Sequence, residues 1–256
     1  MGELDDRTAI VTGAGRGIGF AIAQRLCKAG AKVIIAEVDT ERAQDAVKKL
    51  TEAGHQASFH QTDVTEAASV EAMVEAVVAN HGQIDILINN AGLALIGPTE
   101  TAPLDDWYRQ VNVMYNGVFL CMRAVGRVML EQGRGVILSI SSIGGLGAWP
   151  MRSAYNSAKA GVISLTENIG CEWARRGVRV VSVAPGVTRT AMFQQMVDEG
   201  IASSKQYSDR TPMGRVAEMD EIASVVQFLV SDRASYITAT TVTVDGGWTA
   251  WGSLPL

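Results

Sequence analysis

Short apolar runs alternate with longer stretches of helical periodicity along most of the chain. The apolar runs are rich in β-branched residues and lie at 8–12, 32–36, 57–61, 84–88, 136–140, 178–183 and 241–244. The helical stretches cover about 20–30, 40–54, 104–132, 155–175 and 218–230, and a further helix begins at Glu66, where Thr65 is expected to cap it. Strands that alternate with helices of this length predict βαβ units and a parallel sheet. The sequence therefore predicts an α/β fold, with a doubly wound parallel sheet and helices on both faces, in one domain over residues 1–256.

Composition narrows the class of protein. Hydrophobic residues make up 47% of the 256 residues, and the net charge of −5 without a long basic run argues against a nucleic-acid partner. The three cysteines have no paired spacing, which favours a reducing compartment and neither a disulfide framework nor a zinc site. The N-terminus is acidic and polar, and no apolar run approaches the roughly 20 residues of a membrane span. We therefore expect a cytoplasmic protein with no membrane, nucleic-acid or metal partner.

A glycine-rich segment, TGAGRGIG at 12–19, joins the first predicted strand to the first helix. Its glycines, Gly13, Gly17 and Gly19, have the spacing G-x-x-x-G-x-G. Glycines at such a turn let the backbone approach a pyrophosphate at the helix N-terminus, where amide groups and the helix dipole favour an anion. A glycine-rich turn without a ligand is the alternative, but the position after the first strand favours a dinucleotide.

The acidic residue Glu37 ends the second strand. A carboxylate there accepts hydrogen bonds from the adenosine ribose hydroxyls and repels a 2′-phosphate. No lysine or arginine occupies 36–39 to receive that phosphate, although Arg16 in the glycine loop could reach it. The sequence therefore favours NAD over NADP, with a solvated strand-end glutamate as the alternative.

Candidate chemistry follows the fifth strand, in SISSIGGLGAWPMRSAYNSAK at 139–159. Tyr155 and Lys159 are four residues apart, so they share one face of a helix. A nearby ammonium lowers a tyrosine pKa toward values that suit acid–base work at a carbonyl or alcohol. Ser142, just past the strand end, has a hydroxyl that could hold the substrate oxygen. An ordinary helix with a surface Tyr and Lys is the alternative for the Tyr-x-x-x-Lys pattern alone.

Five ordered motifs run along the chain: TGAGRGIG at 12–19, NNAG at 89–92, YNSAK at 155–159, PG at 185–186 and VDGGW at 244–248. With these motifs the chain resembles the short-chain dehydrogenase/reductase family over nearly its whole length. The resemblance implies a Rossmann-like fold with a seven-stranded parallel sheet, and hydride transfer between a nicotinamide and a carbonyl or alcohol carbon. It implies that Tyr155 is the acid–base group, that Ser142 orients the substrate oxygen, and that Lys159 lowers the tyrosine pKa and bonds the nicotinamide ribose. It also implies a homodimer or homotetramer, with 104–132 and 152–175 at the main interface.

Together, the residues and the resemblance give two sets of site residues. The cofactor set is Gly13, Arg16, Gly17, Ile18, Gly19, Glu37, Asp63, Val64, Asn90, Ala91, Gly92, Tyr155, Lys159, Pro185, Gly186, Thr188 and Thr190. The substrate set is Ser142, Gly144, Trp149, Arg152, Tyr155 and Val187. The polar, Met-rich segment 188–217 is the expected lid over the substrate pocket.

One segment departs from the family pattern. Family members usually carry a catalytic Asn in the long helix. Aligning Trp107 and GVFLC at 117–121 without gaps puts Met114 at that position, with Asn112 and Asn116 two residues to either side. A thioether cannot reproduce the hydrogen bonds of an amide. Asn112 is therefore left out of the catalytic set, and a helix bulge that shifts the register is the alternative.

The predicted function is an oxidoreductase that transfers a hydride between NAD(H) and a secondary alcohol or ketone. Arg152 lies one turn before Tyr155 and could hold a carboxylate bidentately, which favours a hydroxy acid or sugar acid beside sugars and polyols. An Arg152 that points to solvent or pairs across a subunit interface is the alternative. A second functional hypothesis is a 3-oxoacyl-[acyl-carrier-protein] reductase, for which Arg127 would be a docking residue. A third, favoured by Met114 alone, is a catalytically weak NAD-binding regulatory protein.

Overall fold

The computed structural model describes residues 2–200 and 202–252, and its centre is a seven-stranded sheet. Every pair of neighbouring strands is parallel, and the strand order is β3-β2-β1-β4-β5-β6-β7. The strands are β1 (Thr8–Thr12), β2 (Lys32–Glu37), β3 (Ala57–Gln61), β4 (Ile86–Asn89), β5 (Gly135–Ile140), β6 (Val178–Pro185) and β7 (Thr240–Val244). The strand order runs outward in both directions from β1 and β4, so the doubly wound Rossmann-like fold is confirmed.

Helices connect the strands and cover both faces of the sheet. They are α1 (Gly17–Lys28), α2 (Thr40–Glu52), α3 (Ala67–His81), α4 (Leu104–Val111), α5 (Gly117–Gln132), α6 (Ser153–Trp173), α7 (Ala191–Asp198), α8 (Ser204–Arg210) and α9 (Met219–Val230). A π-helical turn, Asn112–Asn116, joins α4 to α5, so the predicted helix over 104–132 is continuous. The segment predicted to be a lid contains the two short helices α7 and α8.

The prediction that Thr65 caps α3 is wrong. The helix begins at Ala67 with Glu66 at its N-cap position, and no side chain caps it there. The Thr65 hydroxyl instead donates to Asp63 Oδ1 at 2.7 Å, and the Thr65 N–H donates to the same oxygen at 2.9 Å. The Asp63 carboxylate, two residues earlier, therefore accepts the hydrogen bond of the hydroxyl that was expected to cap the helix.

Two hydrophobic layers cover the two faces of the sheet. Side chains of α1, α2 and α9 form one layer, and side chains of α3, α5 and α6 form the other. Consecutive residues of β1 enter different layers, because successive strand side chains point to opposite faces of the sheet. Ile10 packs in the layer of α3 and α5, and Val11 packs in the layer of α1 and α9. Burial on both faces explains why the strands read as nearly continuous apolar runs.

The helical stretch Leu104–Gln132 is long and apolar enough, by length and composition, to cross a membrane. In this structure 50% of its most apolar window is buried, and Cys121, Met122 and Val125 pack in the layer beside α3. It is therefore a core helix of the α/β fold.

The carboxyl ends of β1, β2, β4, β5 and β6 meet at one edge of the sheet. β1 and β4 are neighbours, yet the helices that follow them lie on opposite faces of the sheet. At such a switch point a doubly wound sheet opens a crevice. The fold thus brings the glycine-rich segment and the loops that follow β4, β5 and β6 to one cleft.

Candidate active site

A cavity of about 640 Å³ opens at this edge of the sheet. Its volume falls within the roughly 300–1,000 Å³ of small-molecule sites. Every residue predicted for the cofactor and substrate sets lines it. The cavity is also lined by polar residues to which the sequence analysis gave no role: Arg42, Arg109, Asn156 and Tyr207.

The glycine loop packs closely against the loop that follows β4. A Cβ on Gly13 would lie 2.8 Å from Ala91 Cα, and a Cβ on Gly19 would lie 2.6 Å from Gly13 O, so neither position accepts a side chain. Gly17 adopts φ +63° at the start of α1, with open space in front of it. Asn90 Nδ2 donates to the Thr12 and Gly13 carbonyl oxygens at 3.0 Å and holds the two loops together. This glycine cradle at a helix N-terminus fits a pyrophosphate.

A cluster of charges surrounds Glu37 at the end of β2. The Glu37 carboxylate is buried and accepts the Gly15 N–H at 3.2 Å, so it is fixed against the glycine loop. Arg42, in the first turn of α2, bonds Asp39 at 3.0 Å and lies 3.9 Å from Glu37. Arg42 lies outside 36–39 and the glycine loop, where the sequence suggests a cation for the 2′-phosphate, so its position was not predicted. The i,i+3 spacing of Asp39 and Arg42 was the available signal.

Two further loops complete the predicted cofactor set. Asp63 lines the cavity and shapes the turn described above, while Val64 is buried. After β6, the Thr188 hydroxyl donates to Gly186 O at 3.0 Å, and Thr190 Oγ1 accepts the Phe193 N–H at 3.1 Å as the cap of α7. Thr190 thus joins the cavity wall to the first helix of the lid segment.

The catalytic candidates lie on one face of α6 and at the end of β5. Tyr155, Asn156 and Lys159 share one face of the helix, Arg152 is its N-cap residue, and all four line the cavity. Lys159 is buried, and its Nζ donates to Ile140 O at 2.7 Å. Ser142 Oγ accepts the Gly144 N–H at 3.0 Å and hydrogen-bonds with Tyr155. The predicted trio is therefore brought together.

Burial controls the protonation of this trio. It raises the pKa of Tyr155, while the hydrogen bond with Ser142 and the positive charge of Arg152 lower it by smaller amounts. Burial also lowers the pKa of Lys159 to about 8. Burial, Ser142 and Arg152 are the causes that shift the Tyr155 pKa here, and the effect of Lys159 on that pKa stays a prediction. Its Nζ lies 5.8 Å from the ring centroid of Tyr155 and bonds a backbone carbonyl.

Met114 lies at the centre of the π-helical turn. Its side chain is fully buried, lines the cavity, and lies close to Gly92, with Sδ 3.6 Å from the point where a Cβ on Gly92 would be. Asn112 and Asn116 are exposed and bond each other, Nδ2 to Oδ1, at 2.8 Å. The helix bulge that was the alternative does form, yet it leaves Met114 and not Asn112 facing the cavity.

An aromatic cluster closes the far end of the cavity. Trp149 stacks on Trp248 with ring centroids 5.3 Å apart and on Tyr207 of α8 with centroids 6.1 Å apart. The Arg152 guanidinium lies 4.9 Å from the Trp149 ring centroid. The helix α8 is thus joined by stacking to the loop before α6 and to the segment after β7.

Known proteins are similar to this chain over nearly its whole length. A family model described as "Enoyl-(Acyl carrier protein) reductase" matches residues 13–249. The cis-4-hydroxycyclohexanecarboxylate dehydrogenase of Sinomonas cyclohexanicum is 39% identical over 256 residues, covering 98% of this chain and 100% of that protein. The chain belongs to the short-chain dehydrogenase/reductase family. Within the family, the D-threitol dehydrogenase of Mycolicibacterium smegmatis (strain ATCC 700084 / mc(2)155) is 38% identical over 252 residues, covering 96% of this chain and 94% of that protein.

A solved structure agrees with this membership. The gluconate 5-dehydrogenase from Burkholderia cenocepacia J2315, in complex with NADP and tartrate, superposes with a TM-score of 0.92 at 35% identity, covering 97% of each chain. The chain is therefore an NAD(P)-dependent short-chain dehydrogenase/reductase, an alcohol dehydrogenase or ketoreductase.

Proposed function

We propose that this enzyme transfers a hydride between NAD(H) and a small polar secondary alcohol or ketone, and that its preferred substrates are hydroxy acids or sugar acids held by Arg152. The position of Arg152 carries the proposal. Arg152 lines the cavity at the N-cap of the helix that carries Tyr155, and its guanidinium forms no ion pair within residues 2–200 and 202–252. A planar guanidinium whose face is packed on Trp149 keeps its N–H edges for a carboxylate.

The trio of Ser142, Tyr155 and Lys159 then performs the proton transfer. When bound, the nicotinamide supplies the hydride acceptor or donor. During oxidation the Tyr155 side chain, as the phenolate, takes the proton from the substrate hydroxyl, and during reduction the Tyr155 hydroxyl gives a proton to the carbonyl oxygen. Ser142 Oγ, held by the Gly144 N–H, orients the substrate oxygen, and Lys159 provides the buried ammonium beside the tyrosine.

A preference for NAD over NADP follows from the charges around Glu37. The buried carboxylate lies where the adenosine ribose is expected and repels a 2′-phosphate. Arg42 is the nearby cation that would attract that phosphate, and Asp39 holds it in an ion pair. The relative bound to NADP in its crystal structure makes this preference a matter for direct measurement.

The relatives named above support a hydroxylated substrate. Their names specify a hydroxycyclohexanecarboxylate, a tetritol and gluconate, so two of the three substrates carry a carboxylate. The description of the family model instead favours an acyl-carrier-protein reductase. Against that reading, the predicted docking residue Arg127 pairs with Glu71, and together with Arg123 the three side chains offer a net charge of only +1 to an acidic carrier. The complete Ser–Tyr–Lys arrangement likewise disfavours a regulatory protein.

We further propose a cytoplasmic homodimer or homotetramer. The helical stretch Leu104–Gln132 exposes Leu104, Tyr108 and Phe119 on its outer side, at 68%, 55% and 45%. Apolar side chains on one helix suit a contact with a second copy.

The substrate proposal is tested by comparing a hydroxy acid with its uncharged alcohol analogue. For the wild type we expect a higher kcat/KM on the acid. Because a charged hydrogen bond contributes more than a neutral one, Arg152→Met should reduce that advantage by about tenfold or more. Arg189→Met is the matched control, since Arg189 pairs with Glu218 on the surface. Equal kcat/KM values for both wild-type substrates would contradict the carboxylate site.

A further inference from the structure

The motif VDGGW at 244–248 forms a tight turn after β7 that takes no part in the chemistry of the trio. Gly247 adopts φ +89°, and a Cβ there would lie 3.0 Å from Pro212 Cγ, so a side chain at this position would be strained. Asp245 Oδ1 accepts the Gly247 N–H at 2.9 Å and closes the turn. The turn therefore fixes the direction in which the chain leaves the sheet, and Trp248 follows directly.

Trp248 contacts the pocket through a second aromatic ring. It stacks on Trp149 with ring centroids 5.3 Å apart and 24° between the ring planes. The Arg152 guanidinium in turn lies 4.9 Å from the centroid of the Trp149 ring. Trp149 and Arg152 line the cavity, whereas Trp248 is not among the residues that line it. Trp248 can therefore affect Arg152 through Trp149 without contacting the substrate itself.

No polar partner fixes the plane of the Arg152 guanidinium. Within residues 2–200 and 202–252 this group makes no hydrogen bond and no ion pair, and it lies over the ring of Trp149. A guanidinium packed on an indole gains a cation–π contact and keeps its N–H edges for a carboxylate. The orientation of the Trp149 ring therefore determines where those edges point.

Trp248 is well placed to hold Trp149, because a second arginine holds Trp248 in turn. The Arg210 guanidinium lies 4.7 Å from the Trp248 ring centroid and 5.8 Å from that of Trp251. Its Nη2 donates to Trp251 O at 3.0 Å, so Arg210 is itself tied to the backbone after the turn. Tyr207 also stacks on Trp149, but its ring centroid is farther away, at 6.1 Å. Trp248 is thus the nearer support of Trp149.

We propose that Trp248 is a positioning residue, which holds Trp149 and, through it, keeps the Arg152 guanidinium in the orientation that binds a substrate carboxylate. The inference rests on the proposed function and gives its carboxylate site a support outside the cavity. Loss of the Trp248 ring should weaken the binding of carboxylate substrates and leave uncharged substrates unaffected. A ring that only filled space would affect both kinds of substrate alike.

The test measures kcat and KM for a hydroxy acid and for its uncharged alcohol analogue. In Trp248→Leu we expect the acid-to-alcohol ratio of kcat/KM to fall about three- to tenfold, the scale of one cation–π contact. The loss should appear as a higher KM for the acid, because binding and not hydride transfer is affected. Trp248→Phe keeps a stacking ring and should restore most of the ratio. Trp248→Met, a second variant without a ring, should behave as Trp248→Leu does.

The double variant Arg152→Met/Trp248→Leu separates positioning from a general structural role. Residues that act through one shared contact have non-additive effects, so Trp248→Leu should not lower the ratio further once Arg152 is replaced. Phe228→Leu is the matched control, because the Arg233 guanidinium lies 5.4 Å from the Phe228 ring centroid and neither residue lines the cavity. This variant also removes a ring beneath an arginine, and it should keep the wild-type ratio.

The outcomes distinguish this inference from the function on which it rests. If Arg152→Met lowers the ratio and the two ring-free variants of Trp248 do not, the inference is wrong and the carboxylate site stands. Equal losses on acid and alcohol in those variants, or a further fall of the ratio in the double variant, would contradict it as well and assign Trp248 a structural role. A wild type without any preference for the acid overturns both the carboxylate site and the role of Trp248.

Discussion

The two ends of the cleft are built in different ways. At the glycine-loop end, backbone atoms and short polar bonds define the shape, with Asn90 joining the Thr12 and Gly13 carbonyls and a side chain excluded at Gly13. At the substrate end, side chains from three separate segments meet by stacking, with Trp149, Tyr207 and Trp248 each in a different one.

This difference in construction indicates that the glycine-loop end binds one fixed group, whereas the substrate end can adapt to different substrates. Backbone contacts bind a group that all enzymes of the family share, and changing a side chain nearby alters them little. Stacked rings and methionines on the short helices α7 and α8 can be replaced without moving the sheet. Substitutions on α6, where the ends meet, are therefore expected to affect chemistry most. Those at the adenosine end should affect cofactor choice, and those in the π-helical turn should affect least.

The largest effect is expected for Lys159→Met. Removing the buried ammonium takes away a preorganised charge beside Tyr155, so we expect kcat to fall by about 10²–10³-fold. The same change should stabilise the cofactor-free protein. Lowering the lysine pKa from 10.5 to about 8 corresponds to roughly 3 kcal/mol of burial cost, and losing the bond to Ile140 offsets about 1 kcal/mol. A net gain of about 2 kcal/mol at pH 7 is expected in chemical unfolding.

The lowered pKa of Lys159 also predicts how the stability of the folded protein changes with pH. Between about pH 8 and 10.5, the Lys159 side chain of the unfolded chain holds a proton that the folded chain has released. Stability conferred by this site therefore rises with pH across that window and reaches its full value above it. Lys159→Met should remove the rise, whereas Lys48→Met, which removes an exposed lysine, should keep it. An unchanged slope in Lys159→Met would show that Lys159 is not desolvated.

A smaller effect is expected at the adenosine end, for Asp39→Asn. The asparagine keeps a side-chain oxygen that accepts the backbone N–H of Arg42 at the start of α2. It loses the negative charge that holds the Arg42 guanidinium in an ion pair. Arg42 is then available to a 2′-phosphate, and we expect the ratio of NADP to NAD affinity to rise by about tenfold, the scale of one charge-assisted contact. Titration calorimetry with each cofactor, in the absence of substrate, measures it.

The matched control is Asp45→Asn, which removes another acid of α2 that pairs with Lys49 on the surface. It should leave the ratio unchanged. If Asp39→Asn also leaves the ratio unchanged, Arg42 does not act on the cofactor, and the preference depends on Glu37 alone.

The contrast between local patterns and contacts from distant segments also explains which site residues the sequence predicts. Strands, the glycine loop, Glu37 and the Tyr155 helix are local patterns, so the sequence alone predicts their positions. Arg42 was missed because its role depends on a turn of α2 folding back over the glycine loop, where a Cβ on Gly15 would lie 2.7 Å from Arg42 Cγ. Trp248 and Tyr207 join the site only through contacts between distant segments. The Thr65 cap failed because a neighbouring carboxylate competed for the hydroxyl.

The smallest effect on turnover is expected for Met114→Asn, in the wall between the two ends. If proton movement away from the Tyr155 site needed a hydrogen-bonding group here, an amide would raise kcat and shift its pH profile. Because the trio is complete beside a buried thioether, we expect kcat to change by less than about threefold. The protein should lose about 1–3 kcal/mol of stability from an unpaired amide, while Met114→Leu, an apolar replacement, loses less than about 1.5 kcal/mol. A kcat that rises tenfold or more in Met114→Asn alone would show instead that proton transfer limits the wild type.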